Sequence, residues 1–314
     1  MVRSAGLIRV ASIVTVGSAV LDRVYVLSNL PAPDGGAFVT DRTHRGGGVA
    51  ANVACGVSAL DHDAAVVSRV GADDAADTIV ESIREWGVDA DTVHRGDGAS
   101  SYTLVLRGPD GDRMIVAGGD SVPSLRLRDP DRDLLREADV VFTSAYAPDR
   151  VVSEVAELRR AGAIDTLAFD LSGPLSELEG RGTTPETIDV LAAGADLFVT
   201  GEVAARSYLG EGPADAVRTL REAGAERVAV TAGASGAHLA DSTTDPVHVP
   251  ARECDPVDTT GAGDQFTAAL IHAWLLGDAT PRAAGEGAAT AAARNCTARG
   301  PRGTLATPSD LPDQ

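Results

Sequence analysis

Lysine is absent from all 314 residues, so each of the 27 basic side chains is an arginine. The absence removes Schiff-base catalysis, a Walker-type phosphate lysine and the strand lysine of protein kinases. Any phosphate handled by this chain has to be met by arginine, a metal ion or backbone amides. Cysteine is nearly absent too: Cys55, Cys254 and Cys296 are far apart and odd in number. They offer no metal motif and fit a reducing compartment, which sets a cytoplasmic expectation. The six histidines form no H-x-x-x-H pair or other ligand spacing. No apolar run is long enough to span a membrane. Residues 11–20 (ASIVTVGSAV) follow Arg3 and Arg9 as in a signal peptide, but the run is short and soon meets Asp22 and Arg23, so it reads as a buried first strand.

Acidic residues outnumber basic ones by 46 to 27, a net charge of −19. Nucleic acid and anionic membranes would be repelled, which argues against both as partners. Acid excess, missing lysine and abundant small residues resemble proteins adapted to molar salt, where screening relieves repulsion among surface carboxylates. A GC-rich genome would also favour arginine and alanine, so the lysine count is not independent support.

The length suits one large α/β domain or two small ones. Short β-rich runs (Ile13–Val16, Ala64–Val70, Val140–Thr143, Thr166–Asp170, Leu197–Thr200 and Arg227–Thr231) alternate with helical patterns at 49–60, 74–86, 150–161, 184–193 and 213–223. Such alternation predicts a Rossmann-like parallel sheet with helices on both faces. Residues 101–117 break it. They read as two strands joined at Gly108-Pro109-Asp110-Gly111, either an edge hairpin or, with the extended stretch 22–44, a separate small sheet. The charged segment Ser124–Glu137 reads as a solvated turn into a helix.

The densest chemical signal is Asp258-Thr259-Thr260-Gly261-Ala262-Gly263-Asp264, directly ahead of an apolar helical pattern. A helix N-terminus opened by glycines offers free amides to an anion. Asp264 beside it would be repelled by a resting phosphate, so it is suited to taking a proton from an attacking hydroxyl. Capping by Asp258 or Thr259 would explain one polar residue, but not Gly-Ala-Gly where a helix has to nucleate. Upstream, Asp22 follows the first strand, where ligands of open α/β sheets bind. Gly46-Gly47-Gly48 leads into a helix carrying Asn52, whose amide can donate to and accept from polyol oxygens. A dinucleotide loop competes for these glycines, but the Gly-x-Gly-x-x-Gly spacing fails.

The seven-residue string resembles the C-terminal signature of the ribokinase-like (PfkB) carbohydrate kinases, and the glycine run through Asn52 resembles their first signature. The likeness extends from Gly17 to about Gly300. It implies a Rossmann-like three-layer α/β/α ribokinase-like fold over residues 11–314, with a small β lid drawn from about 22–44 and 101–117 that can also pair two copies into a homodimer. It implies Asp264 as catalytic base, and Gly261, Ala262 and Gly263 as the anion hole. Asp22, Gly47 and Asn52 would hold the acceptor, while Thr231, Gly233, Gly236 and Thr260 would face ATP. Magnesium would accompany the nucleotide, and a monovalent cation such as K+ would sit near Asp258. In two places the chain departs from the family pattern. Gly201-Glu202-Val203-Ala204 stands where the family carries Asn-x-x-Glu, leaving Glu202 as the acid to act on magnesium through water, and Val49 stands where some members have a lysine.

The expected activity is ATP-dependent phosphorylation of a hydroxymethyl group on a small neutral sugar or nucleoside. Its rivals are a catalytically weakened binding or regulatory protein on the same fold, and an NAD-dependent oxidoreductase.

Overall fold

A computed structural model describes residues 12–110 and 112–312. Arg3, Arg9, residue 11, turn residue Gly111 and residues 313–314 lie outside them. The chain opens with β1 (Ser12–Val16), makes β2 (Val20–Leu27) and β3 (Val39–Gly47), and returns through β4 (Asp63–Val70) and β5 (Val93–Arg95). The pair β6 (Tyr102–Arg107) and β7 (Arg113–Gly118) follows. Then come β8 (Val140–Ser144), β9 (Leu167–Leu171), β10 (Leu197–Gly201), β11 (Arg227–Thr231), β12 (Ala237–Asp241) and β13 (Val247–Val249).

Nine of these strands form one sheet in the order β13-β12-β11-β10-β9-β8-β1-β4-β5. Its centre is parallel, as the alternation predicts, but β12 and β13 add antiparallel to one edge. Along each central strand, alternate side chains enter two separate cores. Ile13, Phe142, Ala168 and Leu197 pack toward the helices Val49–Ala59, Ala262–Leu270 and Pro281–Cys296. Val14, Phe169, Phe198 and Val228 pack toward the helices Asp149–Arg160, Pro185–Ala192 and Pro213–Ala223. This is the three-layer arrangement: a sheet buried on both faces, with short β-branched and aliphatic strands. Strand order reverses between β8 and β1, so the cleft opens at the carboxyl ends of the strands beside that switch.

The other four strands form a separate sheet, β3-β2-β6-β7, which resolves the choice left open for residues 101–117. In register, Asp22 of β2 lies between Arg45 of β3 and Thr103 of β6. Asp22 therefore belongs to a lid strand and not to a loop after β1. Phe38, Met114, Ile115 and Val116 of the lid region are about half or more exposed.

Asp73 caps the helix Asp74–Arg84 by accepting from Ala76 N at 3.2 Å. In the segment expected to be solvated, Asp131 is buried instead. It accepts from Arg128 N at 2.7 Å and bonds His94 Nε2 at 2.8 Å.

Candidate active site

Asp264 enters the cleft from the first turn of the helix Ala262–Leu270. Gly261 precedes that helix in a left-handed conformation, φ +80°, where a Cβ would lie 2.5 Å from the Pro301 carbonyl oxygen. Only glycine fits there. No side chain caps this helix, and of its first amides Ala262 N donates to the Thr259 carbonyl at 3.3 Å.

Asn52 meets Asp264 because the two helices that carry them touch. A Cβ on Gly56 would stand 2.4 Å from Gln265 Oε1 and 2.7 Å from the Ala268 Cβ. Gln265 Nε2 also donates to the Asn52 carbonyl at 3.2 Å. The helix Val49–Ala59 lacks a capping side chain of its own, and Ser18 Oγ, from the turn after β1, accepts from Val49 N at 3.0 Å. Asn52 Nδ2 then donates to Asp264 Oδ2 at 2.7 Å.

The orientation of the Asn52 amide is fixed from behind. Arg302 Nε donates to Asn52 Oδ1 at 2.9 Å, and its Nη1 donates to the Ser82 carbonyl and hydroxyl, both at 3.1 Å. With Oδ1 accepting from a guanidinium, only the NH2 group is left to face Asp264. Arg302 is absent from the sequence-derived site. It lies in the Arg299-Gly300-Pro301-Arg302 stretch after the last long helix, and no spacing ties that stretch to Asn52.

Asp22 completes the acceptor side. It is buried, and a Cβ on Gly47 would be 2.2 Å from its Oδ2, so the second glycine of the run is the space that the carboxylate occupies. Burial raises Asp22 to about 6, against the pull of Arg302 and the Thr103 hydroxyl. Burial likewise raises Asp264 to about 7; the Asn52 amide opposes the shift and the nearby Asp170 charge adds to it. Asp170, at the end of β9, is itself pushed up to about 7 by burial, with only the Ser172 hydroxyl at 2.8 Å working against it. A carboxylate poised near neutrality can accept a proton in one step and release it in the next.

On the other side of the helix N-terminus lies a cavity of about 530 Å³. Thr231, Gly233 and Gly236 line it together with Ala262 and Gly263, so the nucleotide turn and the anion hole of the sequence reading share one space. Gly236 has φ +90°, and a Cβ there would lie 2.1 Å from the Val249 carbonyl oxygen. Phe266 and a row of alanines from the helix Pro281–Cys296 form the apolar wall.

Three expected residues are differently engaged. Thr260 turns its amide and hydroxyl to Asp258 Oδ1, at 3.1 and 2.8 Å, and is not among the residues lining the cavity. Asp258, expected beside a monovalent cation, receives the Arg107 guanidinium at 3.0 Å. Burial works against its ionisation, but the donors from Thr260 and Gly300 together with the Arg107 charge outweigh that and hold it below the usual carboxylate range. Glu202, at the start of the helix after β10, pairs with Arg206 at 2.7 Å. Among the described residues no group of three or more His, Cys, Asp or Glu is arranged to hold a metal ion.

A family profile described as pfkB family carbohydrate kinase matches residues 10–308. The chain is 31% identical over 261 residues to an ATP-dependent ribose-1-phosphate kinase of Halopiger xanaduensis, covering 82% of each protein. It is 26% identical over 277 residues to a mouse ribokinase, covering 83% of this chain and 80% of the relative. In fold it is similar to Arabidopsis thaliana ribokinase solved with ribose and ATP, with a TM-score of 0.79 at 24% identity over 97% and 96% of the two chains. The nucleoside kinase of Methanocaldococcus jannaschii is similar as well, with a TM-score of 0.76 at 17% identity over 95% of each chain.

Proposed function

Since this chain belongs to the pfkB family of carbohydrate kinases, ATP-dependent enzymes that phosphorylate small sugars, we propose that it transfers the γ-phosphoryl group of ATP to a hydroxymethyl group of a small neutral sugar or nucleoside. One observation carries this reading: Asp264, held by Asn52 at 2.7 Å, stands beside an uncapped helix N-terminus that also borders the nucleotide-side cavity. Asp264 takes the proton of the attacking hydroxyl while that oxygen bonds to the γ-phosphorus and the bridge to ADP breaks. The amides of Gly261, Ala262 and Gly263 stabilise the charge on the transferring group. Asp22, Gly47 and Asn52 orient the acceptor, and Thr231, Gly233 and Gly236 support the nucleotide. Magnesium bound to the ATP phosphates would neutralise their charge. A site with few protein carboxylates suits that ion, which keeps several waters and is held largely by phosphate oxygens. Glu202 is the acid nearest to this role by position in the chain.

A second reading has one favourable observation. Arg45, Arg107 and Arg302 bring three guanidiniums to the acceptor end, where a phosphate already on the sugar would be attracted. Each is committed to the protein, however: Arg302 to Asn52 and Ser82, Arg107 to Asp258, and Arg45 to the Arg299 carbonyl. A neutral acceptor is therefore the better fit. The test is a turnover screen with ATP against neutral sugars, nucleosides and sugar phosphates in molar KCl. A sugar phosphate with the highest kcat/KM would overturn the neutral acceptor. Absence of turnover with every acceptor would favour a binding or regulatory role.

The same reading takes the protein to be cytoplasmic, where ATP is abundant, and salt-adapted, since the −19 charge gains from screening. Pairing of two copies through the lid is supported by the apolar side chains it leaves exposed, among them Phe38 and Val116.

A further inference from the structure

An ion pair joins the lid to Asp258 of the catalytic loop. Arg107 ends β6 and, by register, lies on the same side of the lid as Asp22 and Thr103. Its Nη2 donates to Asp258 Oδ1 at 3.0 Å, with the two side chains 24% and 7% exposed. The same oxygen takes the Thr260 amide and hydroxyl, and Oδ2 takes the Gly300 amide at 3.1 Å. Behind it, the amides of Val257 and Asp258 donate to the Cys296 carbonyl, and Asn295 Nδ2 donates to the Thr260 carbonyl at 2.8 Å. Two loops are thus laced around one buried carboxylate. Three residues after it stands Gly261, whose left-handed turn presents the anion-hole amides.

The family resemblance implies a monovalent cation here, and the residues do not fit one. A metal ion needs lone pairs turned toward it. The carboxylate already holds four donors, one of them a full positive charge that would repel a second cation.

We propose that Arg107 is a positioning residue for phosphoryl transfer, a built-in cation that the lid delivers to Asp258 in place of a monovalent ion, so that seating the lid and ordering the anion-hole loop become one event. The inference rests on reading Gly261–Gly263 as the anion hole. Removing the guanidinium would leave a buried carboxylate without its counter-charge, and the loop would shift to hydrate it.

The test compares wild type, Arg107→Gln and Arg107→Lys in potassium, sodium and tetramethylammonium chloride at equal ionic strength. It reads kcat, acceptor KM and amide hydrogen exchange over residues 257–263. Wild type is expected to show the same kcat and the same exchange in all three salts. Arg107→Gln should lose kcat by about 10-fold or more, within the ~10²-fold that a 1 Å misplacement costs. Its loop should exchange faster, and potassium, but not the bulky tetramethylammonium ion, should restore part of both readouts. Arg107→Lys should fall between the two. A wild type that requires potassium, or an Arg107→Gln whose kcat and exchange match wild type, would overturn the proposal. Should Arg107→Gln not fold, the salt series on wild type and Arg107→Lys decides. Exchange requires no turnover, so its result stands even where the kinase assignment fails.

Discussion

The two sides of the catalytic helix N-terminus are built from opposite materials. Toward the proposed acceptor position, Asp22, Asn52, Asp264 and Arg302 come from four separate segments; Arg302, Asn52 and Asp264 are linked by charged hydrogen bonds, and the Arg302 charge also acts on Asp22. Toward the nucleotide, the wall is glycine, alanine and a phenylalanine, with the backbone as its main polar surface. A side-chain network can discriminate among hydroxyl patterns, because a missing partner leaves a buried polar group unpaired. A backbone-and-alanine wall fits any ligand of the right shape and leaves anion binding to amides. On the proposed reading, chemistry and selectivity therefore belong to the first side, and capacity to the second.

The sharpest way to break this division is Asp264→Asn, which keeps size but removes the base. Turnover should fall by about 10²–10⁴ while ATP still binds, as calorimetry can measure. Nearly unchanged kcat would move the chemistry elsewhere.

Arg302→Gln probes whether the acceptor side works as a network. Wild-type kcat should rise with pH through about 7 as Asp264 ionises. Arg302 lowers that value, so the variant's inflection should move to higher pH, with kcat/KM for the acceptor reduced roughly tenfold or more, the worth of a charged hydrogen bond. An unshifted profile would show Arg302 to be structural only.

Two glycine substitutions separate the sides directly. In Gly47→Ala the new methyl meets Asp22, so acceptor KM should rise with ATP KM unchanged; overpacking of this kind costs about 1–3 kcal/mol. Gly263 has no other atom within 4 Å of a built Cβ, so Gly263→Ala should melt like wild type and weaken ATP use alone. Equal effects of both variants on both KM values would dissolve the comparison.

The smallest effect is on stability. The folded Asp264 is raised from 3.8 to about 7, so the stability it contributes is fully present below about pH 4 and is lost as pH rises through 7. Asp264→Asn escapes that loss. Its Tm relative to wild type should increase from pH 5 to pH 8 by on the order of a few degrees, measurable by scanning calorimetry. A constant difference would mean that the carboxylate is not strained by ionising.

This asymmetry also explains what could be read from sequence. Thr231, Gly233 and Gly236 stand in one contiguous turn, so their lining of a single cavity was legible, as were the strands and helices that present them. Asp22, Gly47, Asn52 and Asp264 were legible as motif residues, but their mutual contacts were not. Arg302, Arg107 and Asp170 reach the site through tertiary folding alone, 250 positions separating Arg302 from Asn52. Thr260, placed by the signature beside the nucleotide, turns its donors to Asp258, a contact that the signature does not announce. The antiparallel edge of β12 and β13 escaped the alternation pattern, because short strands after β11 carry no helix between them.

At Gly56 the helix bearing Asn52 and the helix bearing Asp264 leave no room for a single added methyl. The base and its amide partner consequently travel as one rigid piece, and neither can be retuned without disturbing the other. Asp22, Thr103 and Arg45 sit on a separate sheet, whose strand β3 runs at Gly47 straight into the helix that bears Asn52. For anyone redesigning this enzyme on the proposed reading, Asp22 and Thr103 are the lid positions to rewrite for a new acceptor, while Arg107, which holds Asp258, and the paired helices are left as they stand.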